Sequence, residues 1–266
     1  MRNGGFRSCA AAVLASVLLL TACAVNRTPG AQDELPTASD QTDNQKRARL
    51  RLQLAVNYYE QRQYQVALDE LKLALQADPN YSDAFNVRAL VYMSMGELRL
   101  AEENFQQAIR LAPNNPDLSN NYGWFLCQNG KEKQSIVYFE AALKNRAYLS
   151  PVKALNNAGA CSLKAKDTAT AERYFLQAFQ EEPGNSLTNT NLAKIYYVQG
   201  NYERARFYMN RVIKADVTTA DVLWLAIKIE RKAGDRAAES GLVAQLRRRH
   251  PNSAEYAYYQ RGAFDE

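Results

Sequence analysis

The sequence repeats itself about every 34 residues, and this period constrains the fold more than any other feature. Each clear copy contains a small residue, a large apolar residue four positions later, another small residue and then a proline. Further copies begin at Ser135 and Ala205 without the proline, and a degraded last copy keeps Gly234 and Pro251. The three clear copies are Ala67, Leu71, Ala74 and Pro79; Ala101, Phe105, Ala108 and Pro113; and Ala171, Phe175, Ala178 and Pro183.

A second pattern precedes each copy, in which a small residue is followed three positions later by a larger one. Ala55 and Tyr58 form such a pair, and a turn glycine such as Gly96 follows the next one. The two patterns together resemble the tetratricopeptide (TPR) repeat, a pair of antiparallel helices. The resemblance covers residues 48–253, with repeats starting near 48, 82, 116, 152, 186 and 220.

The repeat predicts an all-α fold, because one helix pair cannot bury its own apolar face and must stack on its neighbours. We expect a right-handed superhelix of six TPR helix pairs within a domain of residues 46–266. Residues 253–266 are expected to form a C-terminal cap, with Ser253 at the start of its helix. The step from 116 to 152 is 36 residues, which predicts a longer connection at residues 144–151.

The N-terminus resembles a bacterial lipoprotein leader. Arg2 and Arg7 precede an apolar run that is too short to span a bilayer, and Leu20-Thr21-Ala22-Cys23 matches the lipobox. We therefore expect residues 1–22 to be a signal peptide and Cys23 to carry lipid. An ordinary secretory leader that ends near a cysteine is the alternative. By analogy with lipoprotein sorting, Ala24 in place of an aspartate implies the outer membrane.

The segment after the lipobox is rich in proline, glycine and polar residues and has no hydrophobic period. Residues 23–45 are therefore predicted to form a flexible tether between the lipid and the repeats. Several acyl chains on one cysteine give the stable anchoring that a single chain does not. The expected location is the periplasmic side of the outer membrane.

Two cysteines remain in the repeats, Cys127 and Cys161, both in first helices of consecutive repeats. First helices of neighbouring repeats pack side by side, so in an oxidising periplasm we expect a disulfide between them. Two buried free thiols are the alternative. A zinc site is not expected, because the single histidine, His250, is far away in the sequence.

The sequence contains no recognisable catalytic or cofactor motif, so we expect neither an enzyme nor a bound cofactor or small-molecule substrate. Acidic pairs such as Asp69-Glu70 fall on second helices, where solvent exposure is their ordinary role. The net charge of +5 is mild, and the basic run before Pro251 is typical of the last turn of a helix. Nucleic acid is therefore not an expected partner.

The inner wall of the superhelix is the predicted partner-binding groove. Its apolar part consists of Leu52, Val56, Tyr59, Leu90 and Met93. Its polar part consists of Asn86, Asn120, Asn121, Asn156, Asn157 and Asn191, whose amides can hold a peptide backbone. A basic part follows, with Lys153, Lys164, Lys194, Lys228, Arg231 and Lys232 around Trp224.

Other interpretations of the groove remain open. The apolar residues could be interior packing or lie under the tether, and the lysines could simply face solvent. The asparagines could cap the first helices, above all Asn120 and Asn156, which lie near helix starts.

Lipobox, tether, six repeats and one cysteine pair together resemble the type IV pilus biogenesis and stability lipoproteins of the PilF/PilW family. The most specific matches are residues 121–127, Asn-Tyr-Gly-Trp-Phe-Leu-Cys, and Asn156-Asn157-Ala158-Gly159 before Cys161. The resemblance implies a pilotin, which binds the pilus secretin and promotes its outer-membrane localisation and multimerisation. The alternative is a TPR lipoprotein of the outer-membrane protein assembly machinery, or an adaptor for peptidoglycan enzymes.

Overall fold

The computed structural model describes residues 41–264, which form helices joined by short turns. The leader, Cys23 and most of the predicted tether lie outside the described residues. The helices of the described part are α1 (Asp43–Glu60), α2 (Tyr64–Ala77), α3 (Ser82–Met95), α4 (Leu98–Leu111), α5 (Pro116–Gln128), α6 (Glu132–Lys144), α7 (Pro151–Lys164), α8 (Thr168–Glu181), α9 (Ser186–Val198), α10 (Tyr202–Lys214), α11 (Ala220–Ala233), α12 (Arg236–Arg249) and α13 (Ala254–Arg261).

Successive helices pair within each repeat, each second helix packs against the first helix of the next repeat, and the first helices of most neighbouring repeats also contact each other. The predicted all-α TPR superhelix is confirmed. One predicted boundary needs correction, because α1 begins at Asp43 whereas the tether was expected to extend to residue 45. Helix α13 follows the last repeat, and the Ser253 hydroxyl caps it by accepting a hydrogen bond from the Tyr256 amide at 3.2 Å.

Close approach of paired helices explains the small residue in each first helix. A Cβ atom added at Gly159 would lie 2.7 Å from ring carbons of Phe175, and one at Gly123 would lie 2.9 Å from the ring of Phe139. Both phenylalanines are fully buried. In repeats three and four the aromatic ring therefore fills the space that a side chain on the first helix would need.

The turn inside each repeat requires a left-handed backbone residue. Gly96, Gly130, Gly200 and Gly234 supply it in four repeats, with φ between 75° and 81°. In the first and fourth repeats the same place is taken by Arg62 (φ 60°) and Lys166 (φ 62°). This conformation costs a residue with a Cβ atom roughly 1 kcal/mol. At Arg62 and Lys166 the geometry of the turn therefore outweighs the residue's own preference for negative φ.

This strain gives a prediction for Lys166. We expect Lys166→Gly to raise the free energy of unfolding by about 0.5–1 kcal/mol, because glycine adopts positive φ freely but gains entropy in the unfolded chain. Urea denaturation followed by circular dichroism measures the change. The matched variant Gly200→Ala should lower stability by about 1 kcal/mol. A Lys166→Gly protein less stable than wild type would contradict this explanation.

The longer connection between α6 and α7 is closed by a buried tyrosine. Tyr148 is 8% exposed and packs with Ala142 and Ala154. Its hydroxyl makes no hydrogen bond with another described residue, and burial raises its pKa to about 12. The longer connection thus places the aromatic ring of Tyr148 between the third and fourth repeats.

Candidate binding surface

The apolar strip, defined as Leu52, Val56, Tyr59, Leu90 and Met93, lies on the first helices α1 and α3. All five side chains are half-buried. The α1 members pack against the core around Leu71, and the α3 members pack against the core around Phe105. The Tyr59 hydroxyl lies 3.1 Å from the Ser94 hydroxyl of the next repeat. The strip therefore joins the first two repeats and still presents part of its apolar surface to solvent.

Four of the six predicted groove asparagines form a hydrogen-bonded chain across neighbouring first helices. Asn121 donates its amide to Asn86 Oδ1 at 3.2 Å, Asn120 donates to Asn121 Oδ1 at 3.3 Å, and Asn157 donates to Asn120 Oδ1 at 2.9 Å. These contacts link α3, α5 and α7. Because the amides of Asn120 and Asn121 both donate and accept, one row of side chains connects three repeats.

Three of the six predicted groove asparagines are buried, which corrects part of the groove prediction. The exposed fractions are 9% for Asn86, 0% for Asn120 and 5% for Asn156. Asn156 Oδ1 accepts a hydrogen bond from the Thr188 hydroxyl at 2.9 Å. Their amides serve contacts between repeats. Asn121, Asn157 and Asn191 are half-buried, and part of each still reaches the surface.

The capping interpretation of Asn120 and Asn156 is also wrong, because both lie inside their helices, which begin at Pro116 and Pro151, and other asparagines cap α5 and α9. Asn115 Oδ1 accepts from the amides of Asp117 and Leu118 at the start of α5. Asn185 Oδ1 accepts from Thr188 at the start of α9. Each cap directly precedes its helix, and this position was the signal in the sequence that would have identified it.

A disulfide joins Cys127 on α5 to Cys161 on α7, with the two Cα atoms 5.8 Å apart. Both residues are buried, and the Ser135 hydroxyl lies 2.9 Å from the sulfur of Cys161. Next to this bond, Lys164 Nζ donates to the carbonyl oxygen of Cys127 at 2.6 Å. The third and fourth repeats are thus joined covalently on the same helices that carry the asparagine chain.

An open cleft of about 450 Å³ lies where α7 and α9 begin. Its wall combines Asn157 and Lys153 with two exposed leucines, Leu149 and Leu187, which are 95% and 59% accessible. Glu182 supplies a carboxylate on the same wall. The cleft therefore offers both amide and apolar contacts to a peptide, at the point where the asparagine chain reaches the surface.

A second pocket, of about 240 Å³, is lined by cations and aromatic rings from α9, α11, α12 and the segment after α13. We name it the basic pocket; its lining residues are Tyr197, Lys228, Arg231, Lys232, Arg236 and Phe264. The structure brings together three of the basic residues predicted for the groove. Trp224 is buried beneath this pocket, stacked on Phe264.

The described residues contain no group of three or more His, Cys, Asp or Glu side chains placed to hold a metal ion. The single histidine, His250, is engaged at the end of α12, where Nε2 lies 2.6 Å from the carbonyl oxygen of Thr218. Within residues 41–264, the helices are either too short or too polar to cross a membrane.

Comparisons with known proteins agree with the geometry. Tetratricopeptide-repeat family models match residues 82–115, 104–136 and 162–227. The type IV pilus assembly protein PilF of Pseudomonas aeruginosa is 26% identical over 248 residues, which are 93% of this chain and 98% of that protein.

Two solved structures extend this likeness. That of PilW, described as a widely conserved type IV pilus biogenesis factor, has a TM-score of 0.73 and 31% identity, covering 80% of this chain and 98% of PilW. That of P. aeruginosa PilF has a TM-score of 0.76 and 25% identity, covering 83% and 100%. The chain therefore belongs to the PilF/PilW family of tetratricopeptide-repeat proteins of type IV pilus biogenesis.

Proposed function

We propose that this protein is an outer-membrane pilotin, a lipid-anchored scaffold that binds the pilus secretin and promotes its localisation and multimerisation. The observation that carries the proposal is the membership of a type IV pilus biogenesis family, combined with the lipobox that ends at Cys23. The role is binding and not catalysis, as is usual for TPR scaffolds.

The proposed mechanism is tethering. Acyl chains on Cys23 hold one end of the protein at the periplasmic side of the outer membrane, and the repeats capture a secretin subunit. Captured subunits are confined to a thin layer at the membrane, which raises their effective concentration and favours assembly of the ring. The segment between Cys23 and α1 sets how far the repeats reach from the lipid.

The apolar strip and the cleft between α7 and α9 are the surfaces that we assign to partner binding. The strip offers half-exposed Leu, Val, Tyr and Met side chains on a rigid helical support. The cleft adds Asn157 beside exposed Leu149 and Leu187. A secretin segment that is apolar in one part and carries free backbone groups in another would match these surfaces.

Removing the lipid acceptor tests the proposal. We expect Cys23→Ser to release the protein into the soluble periplasmic fraction, because no acyl chain can be attached to serine. Secretin multimers in the outer membrane should then decrease at least about tenfold, or the multimers should appear in the inner membrane. The measurement is membrane fractionation followed by immunoblotting for both proteins.

Cys9→Ser is the matched control, since it removes a leader cysteine and leaves the lipobox intact. This control should fractionate and assemble secretin like wild type. Normal multimers together with a soluble Cys23→Ser protein would refute the tethering mechanism. A Cys23→Ser protein that stays in the outer membrane would refute the lipid anchor.

A further inference from the structure

We propose that the basic pocket is a docking site for an acidic peptide segment of a partner protein. It lies at the C-terminal end of the repeats, far along the chain from the apolar strip. The inference rests on the proposed role as a binding scaffold, and it adds the charge of the segment that this end of the scaffold receives.

Basic side chains make up most of the lining of the basic pocket. Four cations line it, and among the described residues Glu239 pairs with two of them, 2.9 Å from Arg231 and 3.9 Å from Arg236. Lys232 makes no ion pair with another described residue, and Arg236 is 79% exposed. Lys232 and Arg236 are therefore open to an incoming carboxylate.

Aromatic rings hold two of these cations in place. Lys228 Nζ lies 5.7 Å from the ring centre of Tyr197 and 5.5 Å from that of Trp224. The Arg231 guanidinium lies 3.9 Å from the ring centre of Phe264, whose other contacts include a stacked Trp224 at 5.2 Å. Cations that are already positioned lose less conformational entropy when a ligand binds.

The pocket's make-up favours an acidic peptide over other anions. Its volume of about 240 Å³ corresponds to a few side chains, and its lining combines separated charges with apolar ring faces. Carboxylates spaced along an extended backbone can reach Lys232 and Arg236 while the backbone lies on Tyr197 and Phe264. A basic helix face without such rings would instead be typical of phosphate binding.

The test uses the purified full-length protein in a non-ionic detergent and a fluorescein-labelled octaglutamate peptide, followed by fluorescence anisotropy. An octaglutamine peptide is the ligand control. We expect the protein to bind octaglutamate but not octaglutamine, with an affinity that falls as the salt concentration is raised. Lys232→Gln with Arg236→Gln should lower the affinity about tenfold.

The control variant is Lys72→Gln with Lys133→Gln, which removes the same charge from exposed places on α2 and α6. It should bind like wild type. No octaglutamate binding, or equal loss in both variants, would overturn the proposal. These results concern this pocket alone, whereas failure of the tethering mechanism would appear in the Cys23→Ser fractionation.

Two other occupants are separate outcomes of the same assay. Phe264 is followed in the sequence by Asp265 and Glu266. Binding of octaglutamate only after Asp265→Asn and Glu266→Gln would make the chain's own acids the occupant and contradict the proposal. Binding of phosphatidylglycerol vesicles through Lys232 and Arg236 without peptide binding would identify a lipid surface and contradict it equally.

Discussion

Replacing Cys127 and Cys161 together by alanine is expected to lower the free energy of unfolding by about 3–4 kcal/mol. The two cysteines are 34 residues apart in the sequence, and closing a loop of that length removes much entropy from the unfolded chain. The loss should be concentrated in α5 to α8, since stacked repeats are stabilised mainly by their immediate neighbours.

Urea denaturation of the double variant beside oxidised and reduced wild type measures this effect. Reduced wild type keeps both sulfur atoms in the core, so it separates loss of the cross-link from loss of packing. We expect reduction alone to produce most of the change. Hydrogen exchange should show the faster opening in α5 and α7. If the free energy of unfolding falls by less than about 1 kcal/mol in both the double variant and reduced wild type, the cross-link does not stabilise this junction.

Arg206→Gln is expected to cost about 3 kcal/mol, because it leaves the buried carboxylate of Glu230 without its partner. Arg206 on α10 donates Nε to Glu230 Oε1 at 3.1 Å and a second nitrogen to Oε2. The Glu230 side chain is 7% exposed and that of Arg206 is 26% exposed. This pair raises the pKa of Arg206 and fastens the fifth repeat to the sixth.

A double-mutant cycle isolates the pair. Adding Glu230→Gln to Arg206→Gln should recover more than half of the lost stability, since a neutral amide is far cheaper to bury than an unpaired carboxylate. The measurement is the urea midpoint of the four proteins at pH 7. Strictly additive effects of the two substitutions would show that the ion pair has no coupling energy, which would contradict this account.

The sequence was sufficient to predict the helices, because the 34-residue period acts through packing that every repeat shares. Small residues such as Gly159 face aromatic residues such as Phe175, and prolines such as Pro183 follow the second helices. These requirements are local and recur in each copy, so the order of helices follows from them. The pairing of Cys127 with Cys161 was expected for the same reason, as both lie on adjacent first helices.

The asparagines were harder to predict, because their burial depends on the neighbouring repeat. Asn120 and Asn121 are adjacent in the sequence, yet Asn120 is fully buried and Asn121 remains partly exposed. Rotation by one residue on a helix turns a side chain from the neighbouring helix toward the surface. A prediction from repeat position alone could not distinguish the two.

The remaining differences arise where a long-range contact prevails over local preference. Lys166 occupies a left-handed turn position that the other repeats give to glycine in most cases. The basic pocket combines α9, α11 and α12 with Phe264, so its shape depends on how the chain returns after α13. Helical periodicity predicts α9, α11 and α12 in the sequence. It does not predict that the segment after α13, with Phe264, packs beside α9 and α11.

Purification of the protein from outer membranes in a mild detergent tests the central claim most directly. After brief cross-linking, mass spectrometry identifies the proteins that remain attached. We expect the pilus secretin to be the main partner. The secretin should no longer co-purify when the apolar strip carries Met93→Glu. It should still co-purify with Met95→Glu, since Met95 is exposed and lies outside the strip. Enrichment of a barrel-assembly protein or a peptidoglycan enzyme without the secretin would contradict the central claim.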